Sequence, residues 1–281
     1  MNSITVSSSA VPLSPISMVR SFMVNRALIY QLAKREVISR YRGSLMGLAW
    51  SFFNPLLMLA VYTFVFSVVF NARWGDKTKT GHKGEFAIIL FVGILVHGIF
   101  AECVNRAPTL IVGNASYVKR VVFPLDTLPW VAMGAALFHA FVSFVVLLIA
   151  EFFIRGSMPV SALYFPLVLL PFVLFTMGLT WLFAALGVFV RDIGQMTGIL
   201  TTILLFLAPV FYPVDSLPES VRKWIYLNPL AFIIEQARSV LIWGAAPDFV
   251  GLGEYFLFAF FVAWLGYVCF HKMRRGFADV I

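Results

Sequence analysis

A handful of polar side chains fall inside or at the ends of long apolar runs: Asn54, His97, Glu102, His139 and Glu151. Polar groups in such surroundings are costly, so each one needs a partner or a task. They can relay protons, bind an ion, or hydrogen-bond one helix to the next. Paired acids near the middle of the apolar runs would suggest ion-coupled transport. Here Glu102 and Glu151 fall near the ends of their runs, whereas His97 and His139 are central and placed to face each other. A helix–helix hydrogen bond suits that pair better than a proton relay. The pattern does not favour an ion-driven pump.

Other chemistries lack their residues. No G-x-x-x-x-G-K-[ST] occurs, since Gly75 to Lys83 has glycine and lysine without the spacing. Neither G-x-G-x-x-G, H-E-x-x-H nor G-x-S-x-G is present. Without a phosphate-cradling loop, any ATP used must be bound by another chain. Cys103 and Cys269 lie in or beside apolar runs and suggest neither a disulfide nor a metal site, and the four His have no ligand spacing. The sequence therefore predicts no catalytic residue, no metal and no cofactor in this chain. Aromatic residues are the remaining candidates. Tyr62 and Phe66 share a helical face, and Phe206, Phe211 and Tyr212 cluster late in another run. They suit lipid-facing or interfacial packing, and equally a smooth surface on which the CH faces of sugar rings can slide.

These residues must be positioned by a membrane architecture. The chain has 281 residues, 61% hydrophobic and only 12% charged. An ordinary soluble domain carries about twice that charged share. A spanning helix needs about 20 apolar residues, and six segments qualify: about 50–70, 86–103, 127–153, 160–190, 195–211 and 255–270. Six spans put both termini on one side. That side would carry 13 Lys and Arg against 8 on the other, which predicts cytoplasmic termini. The net charge of +8 then reads as basic loops facing an anionic leaflet rather than nucleic acid.

Outside the spans, residues 1–19 read as a flexible tail and 20–281 as one transmembrane domain. Residues 26–41 lack Gly and Pro and carry Glu36 and Arg40 at i,i+4, which predicts an interfacial helix lying on the membrane. Ser216 and Glu219 fit a capping box for a short helix, and Asn228-Pro229 fits the N-cap and first residue of a second, ending at Gly244. The second is too apolar for a free helix, and both are expected to be re-entrant or to pack on the spans, beside a cavity. Gly43/Gly47 and Gly194/Gly198 have the small-xxx-small spacing that allows close helix approach.

The order of motifs resembles a known family. Arg40-Tyr-Arg-Gly-Ser-Leu-Met-Gly-Leu-Ala-Trp50 followed by Asn54-Pro55-Leu56 is similar to the start of the first span in ABC-2 type polysaccharide-export permeases. Lys119-Arg120-x-x-Phe123-Pro124-x-Asp126-x-Leu128-Pro129 is similar to their loop between spans two and three, with Asp126 where Glu is more usual. Arg191-Asp192-Ile193, Pro209-Val-Phe-Tyr212 and Tyr226-Leu-Asn-Pro229 resemble their late region. The resemblance covers about residues 20–275. It implies a half-transporter in the inner membrane that works as two copies with two ATP-binding subunits, ATP and Mg being held by the latter, and exports lipid-linked polysaccharide, most readily O-antigen. Teichoic acid, capsule or a smaller lipid or drug are alternative cargoes. It further implies coupling to the ATPase through Lys119, Arg120, Phe123, Pro124, Asp126, Arg191 and Asp192. Arg40 or Arg42 would receive the lipid phosphate, against a plainer role in anchoring to headgroups. The aromatics named above would line the channel, and Ser216, Glu219, Asn228 and Pro229 would belong to an outer gate. An integral membrane enzyme acting on lipid-linked sugars is the competing class. It would need interfacial acids, of which only Asp76 and Glu85 are found.

Overall fold

Helix α1, Pro15–Tyr41, opens the fold. Ser14 caps it by accepting from the Ser17 amide, and Pro15 occupies the first turn, where a missing N–H costs nothing. The N-terminal helix is therefore longer than the expected residues 26–41 and begins inside the expected tail. The structure is a computed structural model that describes residues 13–71, 74, 84–119 and 123–281. The tail residues 1–12, Asp76, the stretch Gly75 to Lys83, and Arg120 lie outside the described residues.

The remaining helices follow in order: α2 Trp50–Tyr62, α3 Glu85–Leu110, the single turn α4 Ala115–Val118, α5 Leu128–Arg155, α6 Phe165–Phe189, α7 Ile193–Leu207, α8 Glu219–Ile225, α9 Pro229–Leu241, α10 Phe249–Met273 and the short α11 Phe277–Val280. Helix α2 is extended by a 3₁₀ turn before it and a π-helical stretch, Thr63–Val69, after it. Helix α3 is the axis of the bundle. The core of its apolar stretch is 78% buried, against 6% for the span built on α2, which leaves nearly all of α2 to face lipid or a partner.

The structure corrects the expectation of six spans with re-entrant gate helices. Among the described residues five helices are long and apolar enough to cross a membrane: Gly47–Val69, Glu85–Leu110, Leu125–Arg155, Val160–Phe189 and Phe249–Val280. The segment expected as the fifth span is only the 15-residue α7. At 1.5 Å per residue it reaches roughly 22 Å, short of the roughly 30 Å of hydrocarbon. Pro209 sets this limit, because it pushes Ala208 into an extended conformation (ψ 151°) and ends the helix. Helices α8 and α9 are short, and no re-entrant gate stands between spans.

Both described ends of the chain nevertheless lie at one end of the bundle. The Leu13 carbonyl accepts from the Trp264 indole at 2.9 Å, and Arg274 donates to the Phe123 carbonyl at 3.1 Å. The chain reaches the opposite end through α7, α8 and α9. There Arg155, at the end of α5, meets Glu85 of α3 and the carbonyl of Ile242, each at 2.5 Å.

Arg238 of α9 holds this region together. It is completely buried. Its guanidinium donates to the carbonyls of Ile89 (3.1 Å), Val210 (3.0 Å) and Pro209, pairs with Glu235 at 3.0 Å, and lies 4.3 Å from the Trp74 ring centre. The chain beyond α7 presents carbonyls with no helical partner, and a guanidinium has five N–H donors to satisfy them. Burial pulls its pKa down to about 10 while Glu235 raises it, so the charge persists at neutral pH.

Close helix packing comes from glycines other than those expected. Among the described residues nothing lies within 4 Å of a Cβ placed at Gly43, Gly47, Gly194 or Gly198. A Cβ at Gly266 of α10 would instead collide with the carbonyl oxygen of Gly178 of α6, and one at Gly187 with the backbone of Pro108. Here the helix backbones themselves touch.

Two predictions follow from this packing. Arg238→Met should destabilise the protein by about 3–5 kcal/mol, since buried carbonyls and Glu235 lose their partner, and Arg238→Lys should rescue little, because one ammonium cannot reproduce the fork. Thermal unfolding of the detergent-solubilised protein measures both, and wild-type unfolding of Arg238→Met would refute the role. By the same measurement Gly266→Ala should cost about 1–3 kcal/mol through overpacking, whereas Gly198→Ala should be neutral or stabilising by about 1 kcal/mol.

Candidate functional site

The last turn of α1 brings a charged residue over a cavity of about 550 Å³ between α1, α2, α3 and α5. Arg40 and Tyr41 line its mouth, Asn54 and Tyr62 come from α2, Glu102 from α3 and His139 from α5. Arg40 Nη1 donates to Glu102 Oε1 at 2.8 Å, and His139 Nδ1 lies 3.0 Å from Glu102 Oε2. The Tyr41 hydroxyl is 3.2 Å from His139 Nε2. His139 Nδ1 thus sits between the Glu102 carboxylate and Arg40 Nη1, the latter at 3.0 Å, and its tautomer decides whether it donates to Glu102 or accepts from Arg40. Burial raises the Tyr41 pKa, with Arg40 opposing, so the hydroxyl stays neutral and able to donate.

The described contacts of Arg40 all run through Nη1, and its side chain is 48% exposed. Its other N–H groups are open to an anion, with Glu102 holding the guanidinium in place. Two further contacts seat α1 on the bundle: Glu36 pairs with Arg106 of α3, and Arg35 donates to the Tyr117 hydroxyl at 2.9 Å.

The structure gathers some of the expected residues and separates others. His97 and His139 do not face each other, since His97 Nε2 meets the Thr201 carbonyl at 2.9 Å and His139 joins the Arg40 cluster. Arg42 sits just past α1, exposed and outside the lining of the cavity. Of the aromatics only Tyr62 lines the cavity. Phe66 stacks on Phe86 at 5.2 Å, while Phe206 stacks on Phe211 at 5.5 Å and Tyr212 donates to the Phe206 carbonyl at 3.2 Å, forming a separate group near the end of α7.

In the loop after α3, Lys119 is exposed at the end of α4. Phe123 stacks on Tyr117 at 4.3 Å, and the Pro124 carbonyl accepts from Thr127. Asp126 is buried, its carboxylate accepting from Ser21 of α1 and its carbonyl from the Trp181 indole at 3.1 Å. It braces the loop from inside rather than offering a charge to a partner. Arg191 and Asp192 are exposed in the turn between α6 and α7.

The capping box at Ser216 does not form. Ser216 lies in a 3₁₀ turn and donates to the Pro213 carbonyl at 2.7 Å, and α8 begins at Glu219 after Pro218. Pro218 fixes the chain one step too late for Ser216 to reach the first turn. Asn228 does cap α9, accepting from the Leu230 amide at 3.0 Å with Pro229 in the first turn, and its side-chain amide donates to the Leu204 carbonyl of α7 at 3.2 Å.

Sequence reasoning missed Arg238, Arg106 and Tyr41. Arg238 had a signal, since it is a lone cation in the apolar run 230–242 and needed an internal partner. Among the described residues no group of three potential metal ligands comes together.

Comparison with known proteins fits this architecture. The family model described as "ABC-2 type transporter" matches residues 27–242. The O-antigen export system permease protein of Myxococcus xanthus is 29% identical over 269 residues, covering 95% of this chain and 100% of the relative. The polysialic acid transport protein of Escherichia coli is 23% identical, covering 91% of this chain and 96% of the relative. The capsule polysaccharide export inner-membrane protein of Neisseria meningitidis serogroup B is 28% identical over 78% of this chain and 80% of the relative. With the family model spanning most of its length, from within α1 through α9, the chain belongs to the ABC-2 type transporter family, whose members are transport subunits rather than enzymes.

Proposed function

We propose that this chain is the permease subunit of an ATP-driven exporter that moves lipid-linked polysaccharide, with O-antigen as cargo, across the inner membrane. The observation that carries this reading is the end-to-end similarity to an O-antigen export permease, with 100% of the relative covered. Two copies of the chain form the path, and two copies of a separate ATP-binding subunit drive it from the cytoplasmic side, where both termini lie. The nearly unburied α2 supports a second copy, since a large part of its surface has no partner within the chain. Capsule polysaccharide is the second reading, favoured by the polysialic acid and capsule relatives.

Arg40 is the proposed contact for the phosphate of the lipid-linked glycan. Its unused donors point this way, and a guanidinium fits a phosphate with two parallel hydrogen bonds. Arg42, two residues beyond and just past the end of α1, supplies further positive charge at the interface. Tyr62 gives the cavity an aromatic wall on which a sugar ring can rest without strong binding, and Phe206, Phe211 and Tyr212 serve as a second such surface. Helix α4 with exposed Lys119, the Phe123-Pro124 corner and the Arg191-Asp192 turn are the proposed contacts for the ATP-binding subunit. Asp126 supports that surface from behind.

Export of surface polysaccharide in cells that depend on this chain tests the assignment. Arg40→Gln should lower export about tenfold or more, the worth of one charge-assisted hydrogen bond, at normal membrane levels. Glu102→Gln keeps the cation and removes only its tether, so it should retain most export. Normal export by Arg40→Gln, or an equal loss in Glu102→Gln, would overturn the phosphate role.

A further inference from the structure

A second cavity, of about 570 Å³, opens on the other flank of α1. Its walls are almost wholly apolar, with Ile29 and Val37 from α1, Leu48 from the turn before α2, and Trp130, Met133 and Leu137 from α5. One end is closed by Phe22 packed on Trp130, ring centres 4.6 Å apart. Along its rim Arg26, Tyr30 and Lys34 recur at i, i+4 and i+8, so they form one row on the surface of α1.

The two cations of that row differ from Arg35, Arg40 and Arg106 and share their exposure with Arg20 and Arg42. Arg35, Arg40 and Arg106 are each bonded to a side chain within the chain. Arg26 and Lys34 are exposed and, among the described residues, have no hydrogen bond or ion pair. Two free positive charges thus border an apolar groove on a helix that lies against membrane spans. The depth also fits. From Trp130 to Phe138 the groove follows α5 for roughly 12 Å at 1.5 Å per residue, close to the roughly 15 Å of one leaflet's hydrocarbon.

We propose that this groove is a binding site for an anionic phospholipid of the bilayer, with its acyl chain along α5 between Val37 and Leu137 and its phosphate headgroup on Arg26 and Lys34. Such a lipid fills the space between α1 and α5 and fixes the interfacial helix at its membrane depth. It is separate from the Arg40 cavity, and it stands whether or not the cargo is a polysaccharide.

The test is native mass spectrometry of the full-length protein released from nanodiscs of phosphatidylcholine with a minor share of phosphatidylglycerol. Wild type should retain phosphatidylglycerol in preference to phosphatidylcholine. The double variant Arg26→Gln/Lys34→Gln, which touches only exposed side chains, should lose that preference by about 30-fold, two contributions of about 1 kcal/mol each. Ile38→Trp narrows the groove from its exposed side and should lower retention of the lipid with both charges intact. Thermal unfolding in lipid-free detergent confirms that each variant is folded. Equal retention of both lipids by wild type would mean ordinary annular lipid only, and unchanged selectivity in the folded double variant would place the lipid elsewhere. Either result overturns the proposal. Loss of polysaccharide export bears on the cargo and leaves this outcome unaffected.

Discussion

Arg238 is the interaction on which the bundle's far end depends. A chain this apolar can bury backbone only where every carbonyl has a donor, and Pro209 ends α7 before it can cross the hydrocarbon. The completely buried guanidinium answers that break by reaching the carbonyls of Ile89, Pro209 and Val210 at once. Because α3 supplies one carbonyl and the stretch after α7 the others, one side chain ties α9 to the bundle axis. The Asn228 cap bonded to Leu204 then fixes where α9 begins, and Ser161, bonded to the Val240 carbonyl at 2.6 Å, fixes where it ends.

The same constraint shapes the end that carries the termini. Helix α1 has little amphipathic character of its own, with apolar residues such as Met23, Val24 and Ile38 exposed on it. Met18, Ile29 and Val37 are nevertheless buried against the bundle, and polar pairs add to that hold. Glu36 with Arg106, Arg40 with Glu102 and Ser21 with Asp126 pin it to α3 and to the start of α5. Those contacts leave cavities on both flanks, one polar at Arg40 and one apolar below Arg26 and Lys34. Within that hold the Arg40–Glu102 pair sits at the exposed end of α1, where a ligand anion can compete for the guanidinium.

Much of this was legible in the sequence. The apolar runs gave five of the spans directly, because about 20 apolar residues in a row have few other fates. Asn228-Pro229 gave the start of α9, since cap chemistry is local. What failed depended on distant partners. His97 and His139 looked like a pair from their depth, but rotation about each helix decides which face they share, and Thr201 and Glu102 took them instead. The small-residue spacing named the wrong glycines, because close approach needs two backbones to meet, as at Gly178 and Gly266. The burial of Asp126 under Ser21 and Trp181 likewise depends on partners far along the chain. The fifth expected span failed locally, through Pro209, and its effect on helix length could have been read from the chain.

The central claim is that this permease moves a lipid-linked glycan when its ATP-binding partner turns over. The direct measurement is transport in proteoliposomes that hold the chain together with that partner, loaded on the ATP-accessible side with a diphosphate-linked lipid bearing a labelled polysaccharide. The account predicts ATP-dependent delivery of the labelled glycan to the opposite side, and no such delivery of small amphipathic drugs. Drug movement under ATP with the glycan left in place would contradict it.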